Sequence, residues 1–289
     1  MKTVHIDCGR EMAGGQWQVV YLVERLEGAI LLARESSPLY CEAQKRGLDV
    51  RGLSILGLRR AAKDAQIVHA HDSRAHSMAP ALSGAPLVVS RRVGFAMKRS
   101  VLSDFKYEAA RMFLAVSEYA ASRMRERGVD PSRIRVVYDG VPIPPRPSSR
   151  TGGVVAIAKA RSDAIDHASR SLNVPVKVIS DLWQDLATAS VCIYLSEMEG
   201  LGSGAIAAMA CGVPVIASRV GGLPEAVEHE KTGVLIDSPR ELEPTLRRLL
   251  ENADLASEMG ERAREVAKRK FSVETMVQQT VCAYNEVLR

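Results

Sequence analysis

The chain has 289 residues, of which 46% are hydrophobic and 25% charged, and it carries 39 Lys and Arg against 34 Asp and Glu. This composition excludes disordered, collagen-like and low-complexity chains, and the length favours two domains over one large α/β domain. The sequence contains no apolar run near the roughly 20 residues of a membrane span, no signal-peptide core and no CxxC pair among its five cysteines, which together indicate a cytoplasmic protein with reduced thiols.

Short β-branched runs alternate with helical patterns over the first half of the chain. The pattern predicts strands at 3–8, 29–33, 66–70, 86–90, 113–116 and 133–137, and helices at 16–26, 39–46, 76–82, 105–111 and 118–127. Gly14 and Gly15 lie in the loop after the first strand, and Ser117 is the predicted cap of the last helix. This alternation predicts a doubly wound parallel sheet, which binds ligands beyond the carboxyl ends of its strands.

A break separates two such patterns. Residues 141–153 read VPIPPRPSSRTGG, hold four of the 13 prolines and show no hydrophobic period, as is typical of an interdomain linker. Strands are then predicted at 154–158, 176–179, 191–195, 213–217 and 233–236, and helices at 162–172, 182–188, 204–210, 223–229, 239–252, 254–270 and 273–288. We therefore predict two Rossmann-like domains that face a cleft, residues 1–145 and 151–289.

The segment after the strand at 191–195 carries the clearest sign of a binding site. Two acidic residues, Glu197 and Glu199, are followed by Gly200, Gly202 and Gly204 and then by an alanine-rich helix. Glycines allow a ligand to approach the backbone, and the free N–H groups of a helix N-terminus attract anions. A phosphate therefore fits this turn, with a carboxylate nearby for sugar hydroxyls. Taken alone, the pattern is equally compatible with a simple tight connection.

The whole of residues 195–236 resembles the signature region of the family 4 retaining glycosyltransferases, which have the GT-B fold. The matching motifs are EGLG at 199–202, AMACGVPVIAS at 208–218, GGLPE at 221–225 and TGVL at 232–235. Weaker similarities cover the first half: Gly14-Gly15 matches the family's first glycine loop, VHAH at 68–71 its V-H-x-H strand, AVSE at 115–118 its A-V-S-E, and VVYDGV at 136–141 its V-I-x-N-G-V.

The resemblance implies a GT-B fold whose second domain holds a nucleotide-sugar donor. Glu199 would face the donor sugar, and a backbone cradle would meet the diphosphate, formed by Gly200, Leu201, Gly202, Ser203 and Gly204. The first domain would hold the acceptor, and the helix at 273–288 would cross back to it. The family transfers the sugar with retention and without metal or cofactor, and the diphosphate itself acts as base.

Three departures from the family pattern affect the donor and acceptor sides. Ala207 stands where the family has the second Glu, which binds ribose, and its loss should cost on the order of 1–3 kcal/mol of binding. Lys159 or Arg161 replaces the family's diphosphate-binding Arg, and no Lys-Gly follows. Ser90, Arg91 and Arg92 stand where the family often has a His near the reacting carbon, and an Arg there can hold a phosphate or an acidic acceptor. The second domain also looks one strand-helix unit shorter between 158 and 176.

Charge is unevenly distributed and suggests an anionic partner for the first half. Residues 1–150 carry 24 basic and 15 acidic side chains, whereas residues 151–289 carry 15 and 19. A membrane surface at the inner face, a phosphorylated acceptor or nucleic acid would fit, as would unselected surface variation; nucleic acid is disfavoured because no stacking aromatics accompany the basic residues. The acceptor-side residues are Gly14, Gly15, His71, Arg91 and Arg92.

His69 and His71 are two apart on one strand and so point the same way, with Asp72 adjacent. A metal site is disfavoured because no fourth ligand is in sight, and one inward structural histidine is the preferred interpretation; His5 is likewise interpreted as structural.

The predicted function is transfer of a sugar from a nucleotide-diphosphate sugar to a cell-envelope lipid or polysaccharide. Two alternatives remain open: a nucleotide-sugar epimerase of the same fold, and a catalytically degenerate relative that acts as a binding partner.

Overall fold

A computed structural model describes residues 1–92, 101–158 and 162–289, and it divides the chain into two compact units. The first unit contains Met1–Gly140 together with Val273–Arg289, and the second contains Val141–Ser272. Among the described residues, every helix is too short or too polar to traverse a bilayer. All five cysteines are free thiols.

The first unit is built on a parallel sheet of seven strands in the order β3-β2-β1-β4-β5-β6-β7. Its strands are β1 (Thr3–Asp7), β2 (Ala29–Ala33), β3 (Val50–Gly52), β4 (Ile67–Ala70), β5 (Leu87–Arg91), β6 (Ala110–Ala115) and β7 (Ile134–Val136). Its helices are α1 (Gly14–Val23), α2 (Pro38–Lys45), α3 (Ile55–Lys63), α4 (Ser73–Leu82), α5 (Val101–Ala109), α6 (Glu118–Arg127) and, at the end of the chain, α13 (Val273–Leu288).

Side chains and glycines at the helix ends explain several of these boundaries. Asp72 accepts hydrogen bonds from the N–H groups of Arg74 and Ala75 and so starts α4. Ser117 caps α6 as the sequence predicts, with its Oγ 3.0 Å from the N of Ala120. The same helix ends at Gly128, whose φ of 95° is a left-handed conformation that favours glycine.

The final helix completes the core of the first unit. One buried cluster joins residues of α1, β4, β5, β6 and the segment after β7 to five residues of α13: Val273, Met276, Ala283, Tyr284 and Val287. Tyr284 is fully buried. A second cluster lies between α1, α2 and β2. The hydrophobic core of this unit therefore contains residues from both ends of the sequence.

The second unit is built on a parallel sheet of five strands in the order β12-β11-β10-β8-β9. Its strands are β8 (Val154–Ala156), β9 (Val176–Val178), β10 (Val191–Tyr194), β11 (Val215–Ser218) and β12 (Gly233–Ile236). Its helices are α7 (Asp163–Leu172), α8 (Leu182–Leu186), α9 (Ser203–Ala210), α10 (Leu223–Ala226), α11 (Leu242–Glu251) and α12 (Ala253–Lys270), with a 3₁₀ turn at Pro239–Glu241. A buried cluster of sheet, α7, α11 and α12 residues forms its core.

The proline-rich segment predicted as a linker is bound along the second unit. The N of Val141 donates to the carbonyl of Phe271, the N of Ser148 to Cys211, and the N of Gly152 to Thr188, at 2.8, 2.7 and 2.6 Å. Arg264 of α12 also donates to the carbonyl of Pro144. These bonds satisfy backbone groups that a free linker would leave to water.

Candidate functional site

The glycine-rich turn of the second unit lies at the point where the strand order reverses. β8 is the first strand of this unit, and β9 pairs on one side of it while β10 pairs on the other. The loops after β8 and β10 therefore diverge, which leaves a crevice beyond the strand ends where ligands bind in such folds. Residues 195–202 form the loop after β10. Lys159 and Arg161, the predicted diphosphate contacts, fall after β8 and outside the described residues.

Glu199 is held in place from two sides within this loop. The hydroxyl of Tyr194, the last residue of β10, donates to Oε2 of Glu199 at 2.7 Å, and the N of Gly200 donates to Oε1 at 3.2 Å. Burial raises the pKa of Tyr194, and the negative charge of Glu199 adds to the shift, so the phenol stays a donor. The carboxylate is half-buried and fixed at the mouth of the turn.

Glycine is required at two of the positions around Glu199. Gly221 has a φ of +57°, and an added Cβ would lie 1.9 Å from the carbonyl oxygen of Glu199. Gly202 has a φ of +95°, and an added Cβ would lie 2.5 Å from a side-chain carbon of Leu223. The backbone of the GGLPE segment is thus packed directly against the loop, and the N of Gly222 donates to the Glu199 carbonyl at 3.1 Å.

The helix that follows begins with uncapped backbone. Gly202 is the N-cap residue of α9 and provides no side-chain cap, and the half-exposed Ser203 and Gly204 form the first turn. Leu201 is 2% exposed, so only its backbone can contribute to a ligand site. The N-terminal end of α9, with its positive partial charge, therefore offers backbone donors next to a fixed carboxylate. Ala207 is buried in the middle of α9, where it cannot make a polar contact.

An open cavity of about 770 Å³ lies on another part of the second unit. It is bounded by the proline-rich segment and α12, and its lining includes Arg150, Gly212, Arg264 and Arg269. The residues described around it include none from the 199–204 turn. This opening is therefore separate from the predicted donor site.

In the first unit, polar side chains converge beyond the carboxyl ends of the strands. β1 pairs with β2 on one side and with β4 on the other, so the strand order reverses between β1 and β4. Asp7 ends β1, and His71 and Asp72 follow β4. The carboxylate of Asp72 accepts from the N of Cys8 at 2.5 Å, and Gln16 of α1 donates to Asp7 at 3.2 Å. Burial raises the pKa of Asp7 above its ordinary value.

Arg92, just after β5, is the cation of this cluster. Its Nε lies 3.2 Å from Oδ1 of Asp139, and its Nη1 lies 3.4 Å from Nδ1 of His71. An added Cβ at Gly15 would lie 3.6 Å from Cδ of Arg92, so the first turn of α1 contacts the arginine. The structure therefore brings together three of the predicted acceptor-side residues, Gly15, His71 and Arg92. Gly14 begins α1 and is exposed.

Arg91 lies on the other face of β5, because successive side chains of a strand point to opposite faces. It lines a small cavity with Asp72, His76 and Tyr107, and burial together with the charge of Arg127 lowers its pKa. Arg91 and Arg92, predicted as one site, therefore belong to two different environments.

Three buried histidines stand behind Arg92. His5, His69 and His71 are each at most 6% exposed, and one nitrogen from each lies within 4.8 Å of the others. The expectation of a single inward histidine is therefore wrong, since all three are inside. Burial is the main reason that the pKa of each is lowered, to about 3 for His5. His5 and His71 hydrogen-bond to each other and to Thr3 and Arg92, whereas His69 bonds to Ser90 and Tyr284.

The sequence pattern predicts no role for Asp7 or Gln16, and Asp139 stands where the family motif V-I-x-N-G-V has an Asn. These residues come from separate segments that meet only when the strand order is known. The available signal was that Asp7 ends β1 and Asp139 follows β7, both at the carboxyl ends of strands.

Comparison with known families matches both halves of the chain. Residues 3–143 match the model described as Glycosyltransferase Family 4, and residues 169–266 match the model described as Glycosyl transferases group 1.

Curated relatives align over limited stretches. The chain is 41% identical over 106 residues to the N-acetyl-alpha-D-glucosaminyl L-malate synthase of Bacillus anthracis, an alignment that covers 36% of this chain and 28% of the relative. It is 33% identical over 169 residues to a D-inositol 3-phosphate glycosyltransferase of Corynebacterium glutamicum, covering 55% of this chain and 37% of the relative. The aligned part of the chain thus spans between about a quarter and a little over a third of the length of these relatives.

Solved structures share the fold over the whole chain. Anabaena Alr3699/HepE in complex with UDP-glucose superposes with a TM-score of 0.85 at 16% identity, covering 99% of this chain and 100% of that one. A glycosyltransferase from Rickettsia africae superposes with a TM-score of 0.80 at 15% identity, covering 100% and 98%. At these identities the similarity establishes the architecture alone.

Proposed function

We propose that the chain, which matches glycosyltransferase family models over residues 3–143 and 169–266 and shares the GT-B fold, transfers a sugar from a nucleotide-diphosphate sugar to an anionic acceptor. The observation that carries the donor half of this proposal is the fixed carboxylate of Glu199, held by Tyr194 beside the uncapped start of α9. A carboxylate accepts hydrogen bonds from sugar hydroxyls, and the helix end receives the diphosphate. The UDP-glucose complex of Anabaena Alr3699/HepE, which shares the fold, supports a donor of this class.

In the proposed reaction, the backbone donors of Ser203 and Gly204 stabilise the negative charge that grows on the departing diphosphate. Such preorganised donors act most strongly where charge develops in the transition state. Glu199 orients the sugar so that its anomeric carbon faces the acceptor hydroxyl. The bond from that carbon to the diphosphate oxygen breaks, a bond to the acceptor oxygen forms on the same face, and the acceptor's proton passes to the diphosphate. We propose that this proceeds with retention and without metal.

We place the acceptor at the carboxyl edge of the first unit's sheet, beside Arg92. The relatives' names give L-malate and D-inositol 3-phosphate, both of which are anionic. Arg92 provides a guanidinium suited to a carboxylate or phosphate, and its side chain is 16% exposed. A cell-envelope lipid, the acceptor predicted from the sequence, meets the same requirement when its head group carries a phosphate.

The donor test is a thermal-shift screen of the whole chain against UDP, GDP and ADP and their sugars. We expect one nucleotide series to raise the melting temperature, because a ligand that binds only the folded state stabilises it. A screen in which none does so even at millimolar concentration would contradict donor binding and favour the non-catalytic alternative that Ala207 motivates. Isomerised sugar formed without acceptor would instead support an epimerase.

The catalytic test compares two acidic residues on one loop. Glu199→Ala should lower transfer by about 100-fold or more, since it removes an oriented contact to the sugar. Glu197→Ala, a change at an exposed residue of the same loop, should leave transfer within about twofold. Product formation from radiolabelled donor measures both, and equal rates in the two variants would remove Glu199 from the site.

A further inference from the structure

Two of the three buried imidazoles of the first unit, those of His5 and His71, are hydrogen-bonded in series behind Arg92. His5 of β1 and His69 of β4 are partners in the sheet register, and His71 follows two residues after His69. Nδ1 of His5 lies 2.9 Å from Nε2 of His71, and Nε2 of His5 lies 3.0 Å from Oγ1 of Thr3. Nδ1 of His71 lies 3.4 Å from Nη1 of Arg92.

Arg92 determines which atom donates in each hydrogen bond of the series from Arg92 through His71 and His5 to Thr3. A guanidinium only donates, so Nδ1 of His71 must accept from Arg92. A neutral imidazole then carries its proton on the other nitrogen, and Nε2 of His71 donates to Nδ1 of His5. By the same reasoning, Nε2 of His5 carries the proton and donates to Thr3. Both histidines are neutral because burial lowers their pKa values far below neutrality.

We infer that His5 and His71 are positioning residues: their hydrogen-bond chain, which runs in one direction from Arg92 to Thr3, aims the guanidinium at the anionic acceptor. This inference rests on the proposed function. Asp139 accepts from Nε of Arg92 and the imidazole of His71 accepts from Nη1, so two different edges of the guanidinium are held. Within the described parts of the chain, Arg92 has no further hydrogen-bond acceptor, and we assign its remaining N–H groups to the ligand.

Close packing on the inner side determines where that ligand can be. The cavity bounded by Arg92, Asp139, His69 and Ser90 has a volume of about 10 Å³, which is room for a single water molecule. Among the described residues, the inner side of Arg92 therefore has no room for a carboxylate or phosphate, and we place the anion on the side next to the first turn of α1.

His69 forms a separate hydrogen-bonded chain and provides a control. Its Nδ1 lies 2.6 Å from the hydroxyl of Tyr284 on α13, and its Nε2 lies 2.8 Å from Oγ of Ser90. Tyr284→Phe removes a buried hydroxyl from the same cluster without touching the chain from Arg92 to Thr3.

The first experiment reads the proton positions directly. Long-range ¹H–¹⁵N spectra of the wild-type protein should show the Nε2–H tautomer for both His5 and His71, with the signals assigned through His5→Gln and His71→Asn. An Nδ1–H tautomer at either residue would overturn the inference. Elemental analysis of the purified protein is a second check. A bound divalent ion that is lost in His71→Asn would also overturn the inference, because a metal would occupy the imidazole nitrogens that form these hydrogen bonds.

The second experiment measures binding of L-malate and of inositol phosphate by calorimetry, which needs no transfer. His71→Phe should weaken anion binding by about tenfold, whereas His71→Asn should stay within about threefold of wild type because its Oδ1 can accept from Arg92 as Nδ1 does. Tyr284→Phe should bind both anions like the wild type. Equal losses in His71→Asn and His71→Phe, or no effect in either, would overturn the inference.

The two proposals fail separately. Wild-type protein that binds these anions with the expected variant order, yet transfers no sugar, would end the proposed function and leave the positioning of Arg92 intact. If the wild-type protein transfers sugar to an anion and His71→Phe keeps the wild-type KM for the acceptor, the positioning role of His71 is wrong and the proposed function stands.

Discussion

At the scale of single residues, a glycine outside the EGLG motif controls the position of Glu199. Gly221→Ala would put a methyl group 1.9 Å from the Glu199 carbonyl at a left-handed φ. We expect the loop to move, at a cost of about 1–3 kcal/mol in unfolding free energy, and donor binding to be lost. Gly15→Ala is the matched control, since its added Cβ would make an ordinary contact at 3.6 Å. Chemical unfolding and nucleotide titration of both variants provide the measurement.

Tyr194 should matter for turnover more than for stability. Tyr194→Phe deletes the hydroxyl that donates to Oε2 of Glu199 at 2.7 Å while it keeps the ring packed against Gly204. We expect transfer to fall by about tenfold with the melting temperature within a few degrees of wild type, because a hydrogen bond to a charged group orients the carboxylate. A variant as active as the wild type would show that the backbone of Gly200 alone suffices.

The sequence predicts which residues are adjacent around Glu199, but it does not predict which side chains from separate strands meet around Arg92. The turn at 200–204 and Glu199 are contiguous, so their pattern could be read directly. Arg91 and Arg92 are contiguous too, but the alternation of a strand places them on opposite faces. Asp7 and Asp139 join Arg92 only through the order of strands in the sheet, which no local pattern encodes.

At the scale of elements, the cap of α6 can be tested directly. Ser117 is fully buried and its Oγ accepts from the N of Ala120. Ser117→Ala should lower the unfolding free energy by about 1 kcal/mol, the usual cost of losing a cap. The urea midpoint should fall with an unchanged slope. Ser238→Ala, at a more exposed 3₁₀ turn, should change the midpoint less; the reverse order would contradict this account of α6.

Most elements were predicted to within a few residues, and the exceptions have physical causes. The sequence does not predict β3, because the strand has only three residues and none of them is buried. Such a strand needs no alternation of apolar and polar residues. α3 was missed although one face is buried, since Gly52 and Gly57 flank its start and resemble a loop. The helix predicted at 223–229 ends at Ala226, because Val227 takes an extended backbone conformation.

At the scale of the whole molecule, the buried histidines should make stability depend on pH. The folded-state pKa of His5 is about 3 and that of His76 about 4, against 6.5 when exposed. The unfolded chain therefore binds more protons between these values, and the unfolding free energy should fall as the pH drops from about 6.5 towards 4, by up to about 1.4 kcal/mol per pH unit for each such histidine. Asp7 opposes this trend, because its pKa is raised.

Urea titrations across that range measure the slope. His76→Phe should make it shallower, since it removes one buried titrating ring, whereas His167→Gln, at an exposed position, should not. An unfolding free energy that stays constant from pH 6.5 to 4 would contradict the neutral, buried state of these rings.

Removing α13 should unfold the first unit selectively. A chain that ends at Ser272 lacks Met276, Ala283, Tyr284 and Val287, which belong to the buried cluster around β4, β5 and β6. We expect calorimetry to retain the transition of the second unit and to lose that of the first, because large core side chains cost several kcal/mol each when removed. Leu288→Ala, at a residue 41% exposed, should leave both transitions in place.

The split composition of the first unit also governs how the protein is made. Residues 1–140 leave the ribosome before Val273 is synthesised. The amino-terminal sheet therefore lacks α13, and the apolar surface that α13 covers stays exposed while the second unit is synthesised and can fold. During that interval the surface that later receives Tyr284 is open to chaperones and to neighbouring nascent chains. Yield in cells should therefore depend on translation speed across residues 141–272 more than on the stability of the finished protein.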